Sequence, residues 1–318
     1  MGEFLYSFFI GPFVRMATDF PLFFTEVVIS GLTAGVMYAL VALGFVLIFK
    51  ASGVFNFAQG VMALFAALTL VGLMQKFGLP AWAAIPATIA VMVALAWLIE
   101  RLVLRHLVNQ EPIILFMATL GLAYVLEGAG DMIWGSDVKL LDIGLPQGAS
   151  DWALDNLGLY VEKLELVAAA TAGVLVVVLA IFFQKTRIGR ALRAVADDHQ
   201  AALSVGISLR TIWVIVWSVA GIVALVAGVM WGSKSGVQFS LSLIALKALP
   251  VLILGGFTSI PGAIVGGLII GVGEKLAEVY WGPVVGGAIE NWFAYMLALV
   301  FLLFRPQGLF GEKIIERV

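Results

Sequence analysis

A chain of 318 residues with 62% hydrophobic and 12% charged side chains, and a mean hydropathy of +1.09, lies outside the soluble globular class and inside the polytopic membrane class. Its formal net charge of −2 says little, because orientation in a bilayer follows the distribution of Lys and Arg rather than their total. The absence of cysteine excludes disulfides, thiolate metal ligands and cysteine nucleophiles, and the two histidines, His106 and His199, sit beside arginines in polar connections. At about 20 residues per crossing plus short loops, roughly eight to ten crossings fit the length.

Residues 4–14 are apolar and aromatic but too short to span, and Pro12 and Arg15 interrupt them, so 1–20 reads as an N-terminal interfacial segment. Glu3, where a basic residue would be wanted, argues against a signal peptide. The membrane region, 21–304, begins with a span from Leu22 to Phe49 whose Gly31, Gly35 and Gly44 allow close helix approach, and it stops at Lys50. VFNFAQG (54–60) then leads into an apolar run from Val61 to Met74, with Asn56 and Gln59 sharing a face at its mouth. The third span, Ala81 to Leu104, ends on Arg101 and Arg105, which places that end inside. The fourth, from Pro112 to Trp134, carries Glu127 and Asp131 near its far end. It opens into a long, net acidic loop (135–163) with Trp152 and Tyr160, expected outside.

The fifth span, Leu164 to Phe183, delivers the chain to Lys185, Arg187, Arg190 and Arg193, a cluster that marks 185–210 as a cytoplasmic loop. The spacing within Arg187–Ile207 predicts an amphipathic helix or helix pair. Leu192, Val195 and Ala196 fall on one side and Arg190, Arg193, Asp197 and Asp198 on the other, with the two aspartates able to cap a new turn and Gly206 to end it. The sixth span runs from Arg210 to Gly232. Residues 241–256 are apolar but hold Lys247 and Pro250. A central Lys costs about 2.5–3.5 kcal/mol, which about ten aliphatic residues returning about 3–6 kcal/mol only just offset, so a short, broken or re-entrant segment is expected. Glycines at 262, 266, 267, 271 and 273 follow, of which Gly262 and Gly266 form a GxxxG match, and Glu274 comes directly after. A last span covers Val284 to Phe304, with Glu290 near its start, and 305–318 is a polar cytoplasmic tail.

These elements predict an all-α polytopic membrane protein of about nine transmembrane or re-entrant helices. Eight of the nine arginines fall inside by this topology. Two glycine-bearing halves, 31–134 and 206–304, suggest an inverted repeat of the kind transporters use, without a residue-level match. Phosphate-binding GxxxxGK[ST], HExxH and GxSxG motifs are all missing, so no enzyme apparatus is visible. The intramembrane ionisable residues Lys247, Glu274, Glu127 and Glu290 are therefore the default functional candidates, and a Lys247–Glu274 pair would neutralise both charges.

NFAQG (56–60), GRALRAVADD (189–198), SVGI (204–207), KALPVLILGGFTSIPGAIVGGLIIGVGE (247–274) and RPQGLFG (305–311) together resemble the permease subunits of ATP-binding-cassette importers for branched-chain amino acids, of the first-permease type. The likeness covers about residues 25–312. Gln59 stands where many members have His, Val61 where an acidic residue is frequent, and the N-terminal extension differs. The resemblance implies an importer half in the bacterial inner membrane with its C-terminus cytoplasmic. It would pair with a second, similar permease above two cytoplasmic ATPases that bind ATP and Mg, and a periplasmic binding protein would deliver solute. No cofactor, metal or nucleic acid is implied for this chain. Arg187, Gly189, Arg190, Arg193, Asp197 and Asp198 would form the coupling contact with the ATPase. Asn56, Phe57, Gln59, Gly60, Lys247 and Glu274 would belong to the translocation pathway. The rival readings are an ion-coupled secondary transporter using Lys247 and Glu274, and a membrane-embedded enzyme, which lacks paired catalytic carboxylates or clustered histidines.

Overall fold

The computed structural model describes residues 2–107, 110–197 and 199–311, with backbone alone at 2–4, 112, 197 and 199–201. Its helices are α1 (Gly2–Phe9), α2 (Gly11–Asp19), α3 (Leu22–Ser52), α4 (Gln59–Phe77), α5 (Ala81–Leu102), α6 (Pro112–Trp134), α7 (Asp151–Leu157), α8 (Lys163–Lys185), α9 (Arg187–Asp197), α10 (His199–Ser204), α11 (Leu209–Ser235), α12 (Ile244–Gly255), α13 (Ile260–Val285) and α14 (Phe293–Phe304). Among the described residues, seven helices are long and apolar enough to cross a membrane, and two shorter apolar stretches, Phe239–Gly255 and Phe293–Phe304, add to them. The chain is an all-α polytopic membrane protein.

A helix that is apolar on every side belongs in a protein core or in lipid, and α3 lies in the core, with residues 37–48 all buried. The membrane windows of α3, α4 and α11 are 78%, 72% and 72% buried, against 28%, 22% and 22% for α5, α6 and α8, so three helices form the core and three stand at its edge. The most extensive interface joins α3 to α13. It is made by backbone: a Cβ on Gly35 would fall on the Gly267 carbonyl, and one on Gly271 on the Gly31 carbonyl. Two GxxxG pairs, 31/35 and 267/271, therefore mesh. The Gly262/Gly266 pair serves a different contact, with Gly255 and the Val251 carbonyl of α12.

Elements α3 to α6 and α11 to α14 repeat one arrangement in opposite orientation. α3 packs on α13 as α11 packs on α5, α3 on α12 as α11 on α4, and α4 on α6 as α12 on α14. In each half a long helix is followed by an irregular stretch, 53–58 or 236–243, and then a helix that starts well inside the span. The segment around Lys247 is thus broken, as its composition predicts.

The last span differs from expectation. α13 continues to Val285, then Gly286, Gly287 and Ala288, all with positive φ, turn the chain into a short 3-10 segment, Ile289–Asn291, before α14 starts at Phe293. The chain is held in this fold because Glu290 contributes its carbonyl to Lys247 and its carboxylate to Lys275, 3.0 Å away. The first part of the tail is also docked, Leu309 and Phe310 donating to the carbonyls of Leu254 and Gly255.

At the end of the molecule opposite Lys50, Glu165 of α8 accepts from Lys234 of α11 and from Thr33 of α3, both at 2.6 Å. Nearby, Lys163 donates to Asp151 at 2.8 Å and holds its carboxyl below the usual range. The Asp151 side of this clip is exposed, and the pairing is lost as pH falls through that lowered value.

Because Gly271 admits the Gly31 carbonyl, Gly271→Leu is expected to cost more than about 3 kcal/mol, and monodisperse protein extracted from membranes should fall several-fold. Gly173→Leu on α8, where a Cβ meets open space, should leave the yield unchanged; equal yields for the two variants would overturn the role given to the α3–α13 contact.

Candidate translocation pathway and coupling elbow

After α3 ends at Ser52, with Gly53 in the left-handed conformation, the chain turns back inward instead of continuing along the surface. Six residues cross the space beneath α3, and their backbone groups find side-chain partners. Asn56 Oδ1 accepts from the Ala58 N–H at 3.1 Å. Thr119 of α6 accepts from the Phe57 N–H at 3.3 Å, and its hydroxyl lies 3.3 Å from the Phe55 carbonyl and 3.0 Å from that of Phe116. Without such partners this irregular backbone could not sit at membrane depth.

Asn56 and Gln59, at the start of α4, are both fully buried. The Asn56 amide donates to Gln59 Oε1 and the Gln59 amide to the Ala220 carbonyl of α11, each at 3.4 Å. Gly44 of α3 leaves the room that the Gln59 side chain fills. Gly60, the second residue of α4, meets Ser242 and Ala245 at the start of α12, so the two interrupted helices begin face to face.

Phe57 occupies the open side of this junction. Phe45, Phe55, Phe57 and Phe116 form a continuous run of ring contacts with centroids 4.5–4.8 Å apart. Phe45, Phe55 and Phe57 also line a cavity of about 270 Å³ between α4, α6 and α12 whose one ionisable acid is Glu127. Glu127 and Asp131 have no ion pair among the described residues.

Lys247 and Glu274 lie in a separate network on the other side of α12. Their charged atoms are 2.6 Å apart, Tyr38 of α3 donates to the same Glu274 oxygen at 3.1 Å, and Tyr38 stacks on Trp231. The pair also joins Glu290 and Lys275 through the Glu290 carbonyl. The other Glu274 oxygen has no partner among the described residues, although Glu274 is 1% exposed. The structure thus gathers Asn56, Gln59 and Gly60 at one junction and Lys247 and Glu274 at another. Tyr38, Thr119 and the Ala220 carbonyl complete these sites. Nothing in the sequence marks them, since a lone Tyr or Thr in an apolar helix has no distinctive pattern.

The segment from Arg187 forms a tight elbow with α8. Thr186 accepts from the Gly189 N–H at 2.9 Å and donates to the Phe182 carbonyl at 2.6 Å. A Cβ on Gly189 would fall on the carbonyls of Phe182 and Phe183, so the elbow closes only with glycine there. Leu192 and Val195 are buried as the spacing predicts, but Ala196 is exposed rather than on their face. Arg193 does not project outward with Arg190; its guanidinium turns back to the Phe183 carbonyl and satisfies the end of α8. Arg187 and Arg190 are exposed. Asp198, and the side chain of Asp197, lie outside the described residues.

Residues 27–305 match the family model described as branched-chain amino acid transport system / permease component. The chain is 30% identical over 305 residues to the high-affinity branched-chain amino acid transport system permease protein BraD of Pseudomonas aeruginosa, covering 93% of this chain and 98% of that protein. It is 27% identical over 311 residues to the corresponding permease protein LivH of Escherichia coli, again covering 93% and 98%. A probable branched-chain amino acid transport permease protein of Methanocaldococcus jannaschii is 28% identical over 284 residues, 86% of this chain and 89% of that protein. The core of interrupted helices agrees with a family match that runs from α3 past α14, and the chain belongs to the branched-chain amino acid transport permeases, membrane transport subunits rather than enzymes.

Proposed function

We propose that this chain is one permease of an ATP-driven importer that moves a branched-chain amino acid, or a closely related small polar solute, from periplasm to cytoplasm by alternating access. The observation that carries the reading is the junction at Gly60 and Ser242, where two interrupted helices of opposite repeats begin against one another beside an aromatic cavity. An arrangement of two similar halves around such a junction has two equivalent ways to tilt, which is what alternating access requires.

The energy enters from outside the chain. A second permease and two ATPases that hold ATP and Mg complete the machine, and a periplasmic binding protein supplies solute. In the bacterial inner membrane the Lys50 end, with most of the arginines, faces the cytoplasm, and so does the C-terminus. The outer face of α6 supports a permease partner: Asp131 is exposed on a spanning helix that also carries Gly121 and Gly128, where a Cβ meets open space, and an unpaired carboxylate is costly against lipid. Helix α9, with Gly189 closing its elbow, presents Arg187 and Arg190 to the ATPase, while Arg193 keeps the helix fixed to α8. Asp197 and Asp198 are assigned to the same contact. Asn56, Phe57, Gln59 and Gly60 shape the pathway at the junction, and Lys247 and Glu274 brace α12 and α13 beside it.

Reversing the charge of Arg187 and Arg190 together should lower ATP-dependent leucine uptake into proteoliposomes at least tenfold with normal assembly of the permease in the membrane. Uptake at the wild-type rate would reject α9 as the coupling element.

Lys247→Met alone leaves a buried carboxylate unpaired and should destabilise the protein by about 3–5 kcal/mol, whereas Lys247→Met with Glu274→Met should regain most of the lost stability. Uptake by the folded double variant separates the readings. Retained ATP-driven uptake fits a bracing pair, and loss of uptake together with loss of a proton or sodium dependence in the wild type would favour the ion-coupled alternative.

A further inference from the structure

At the Lys50 end, α8 and α13 both pack on or beside the last turns of α3 and leave a cavity of about 370 Å³. Its rim carries two cations, Lys50 from α3 and Arg193 from α9, and two hydroxyls, Thr258 and Ser259, from the turn before α13. Among the described residues that line it there is no carboxylate. Lys50 makes no ion pair among the described residues, Arg193 spends one guanidinium nitrogen on the Phe183 carbonyl, and Ser259 accepts from the Gly262 N–H at 3.0 Å while its own proton stays free to donate. The 26-residue helix α13 begins at the same rim, and its dipole adds to the preference for an anion.

The inner wall is different in kind. Val176 and Ala180 of α8 line it. Val176 is nine residues before the end of α8, about 14 Å into the span. Val177, Val178 and Ile181 lie on the exposed face of the same helix. A cationic, hydroxyl-rich rim above an apolar slot of that depth fits a molecule with a phosphate at one end and a hydrocarbon chain at the other. A soluble acid would reach the rim and leave the slot empty.

We propose that this cavity binds an anionic phospholipid, its phosphate between Lys50 and Arg193 and an acyl chain along α8. Net headgroup charge decides the preference. Phosphatidylglycerol brings one negative charge to two cations, whereas phosphatidylcholine brings its own ammonium to the same place. The chain's own C-terminus is a weaker occupant, since after Gly311 its Glu312 and Glu316 are offset by Lys313 and Arg317. A headgroup seated here links the foot of α3 to α9 and stiffens the elbow from outside the protein.

The test uses the full chain within its assembled transporter, delipidated in detergent and supplied with phosphatidylglycerol or phosphatidylcholine, with retained lipid counted by native mass spectrometry. The expected result is at least tenfold tighter retention of phosphatidylglycerol, reduced to the phosphatidylcholine level by Lys50→Gln and unchanged by Lys185→Gln at the same end. Thermal unfolding checks that Lys50→Gln is folded, and Thr258→Val provides a second variant, expected to weaken retention severalfold. Equal retention of the two lipids would overturn the proposal, as would full retention by folded Lys50→Gln. Displacement by millimolar inorganic phosphate would make it a free-anion site instead, and binding that appears only when residues 312–318 are removed would make the tail the occupant; either result also rejects the lipid.

Discussion

The contact between α3 and α13 is the constraint on which the rest of the fold depends, because it brings two backbones together with no side chain between them. Glycines at 31, 35, 267 and 271 make the approach possible. In a bilayer, where lipid is as apolar as leucine, the attraction between helices comes from close packing rather than from escape from water. Helices α8, α11 and α12 pack on α3, α14 packs on α13, and in the repeat-related contact of α11 with α5 Gly221 fits against Met92.

This fixed core allows the irregular parts. Residues 53–58 and 236–243 give up helical hydrogen bonds at membrane depth and must replace them. The first stretch uses Asn56 and Thr119. The second pairs Val237 with Lys139 of the long loop in both directions, at 3.0 and 2.8 Å, then re-forms as a 3-10 turn that leads into α12. Lys247 ties the first turn of α12 to α13 and to the start of α14. The polar groups inside the span are therefore concentrated where the backbone is interrupted.

Much of this was legible in the sequence for physical reasons. Long apolar runs, the crowd of arginines and the marginal insertion of residues 241–256 predict the spans, the basic end and the break at Lys247. The Lys247–Glu274 pair follows from the cost of leaving either charge alone in lipid. What hydropathy could not show is depth. The spacing puts Asn56 and Gln59 on one face at the start of a helix, and only the return of the chain toward Gly44 and Ala220 reveals their burial. The break after Val285 was hidden in the same way, since Gly286 and Gly287 are apolar-neutral and the run continues smoothly to Phe304. Arg193 was placed with its outward neighbours because periodicity assigns a face and cannot see a carbonyl at a helix end that needs a donor.

The elbow at Gly189 has one mechanical consequence. Helix α8 spans 23 residues, about 35 Å, and is fastened at both ends: by Arg193 and Thr186 to α9 at one, and through Glu165 to Lys234 and Thr33 at the other. It is mostly uncovered along its length. It is a strut that joins α9 at one face of the molecule to α3 and α11 at the other.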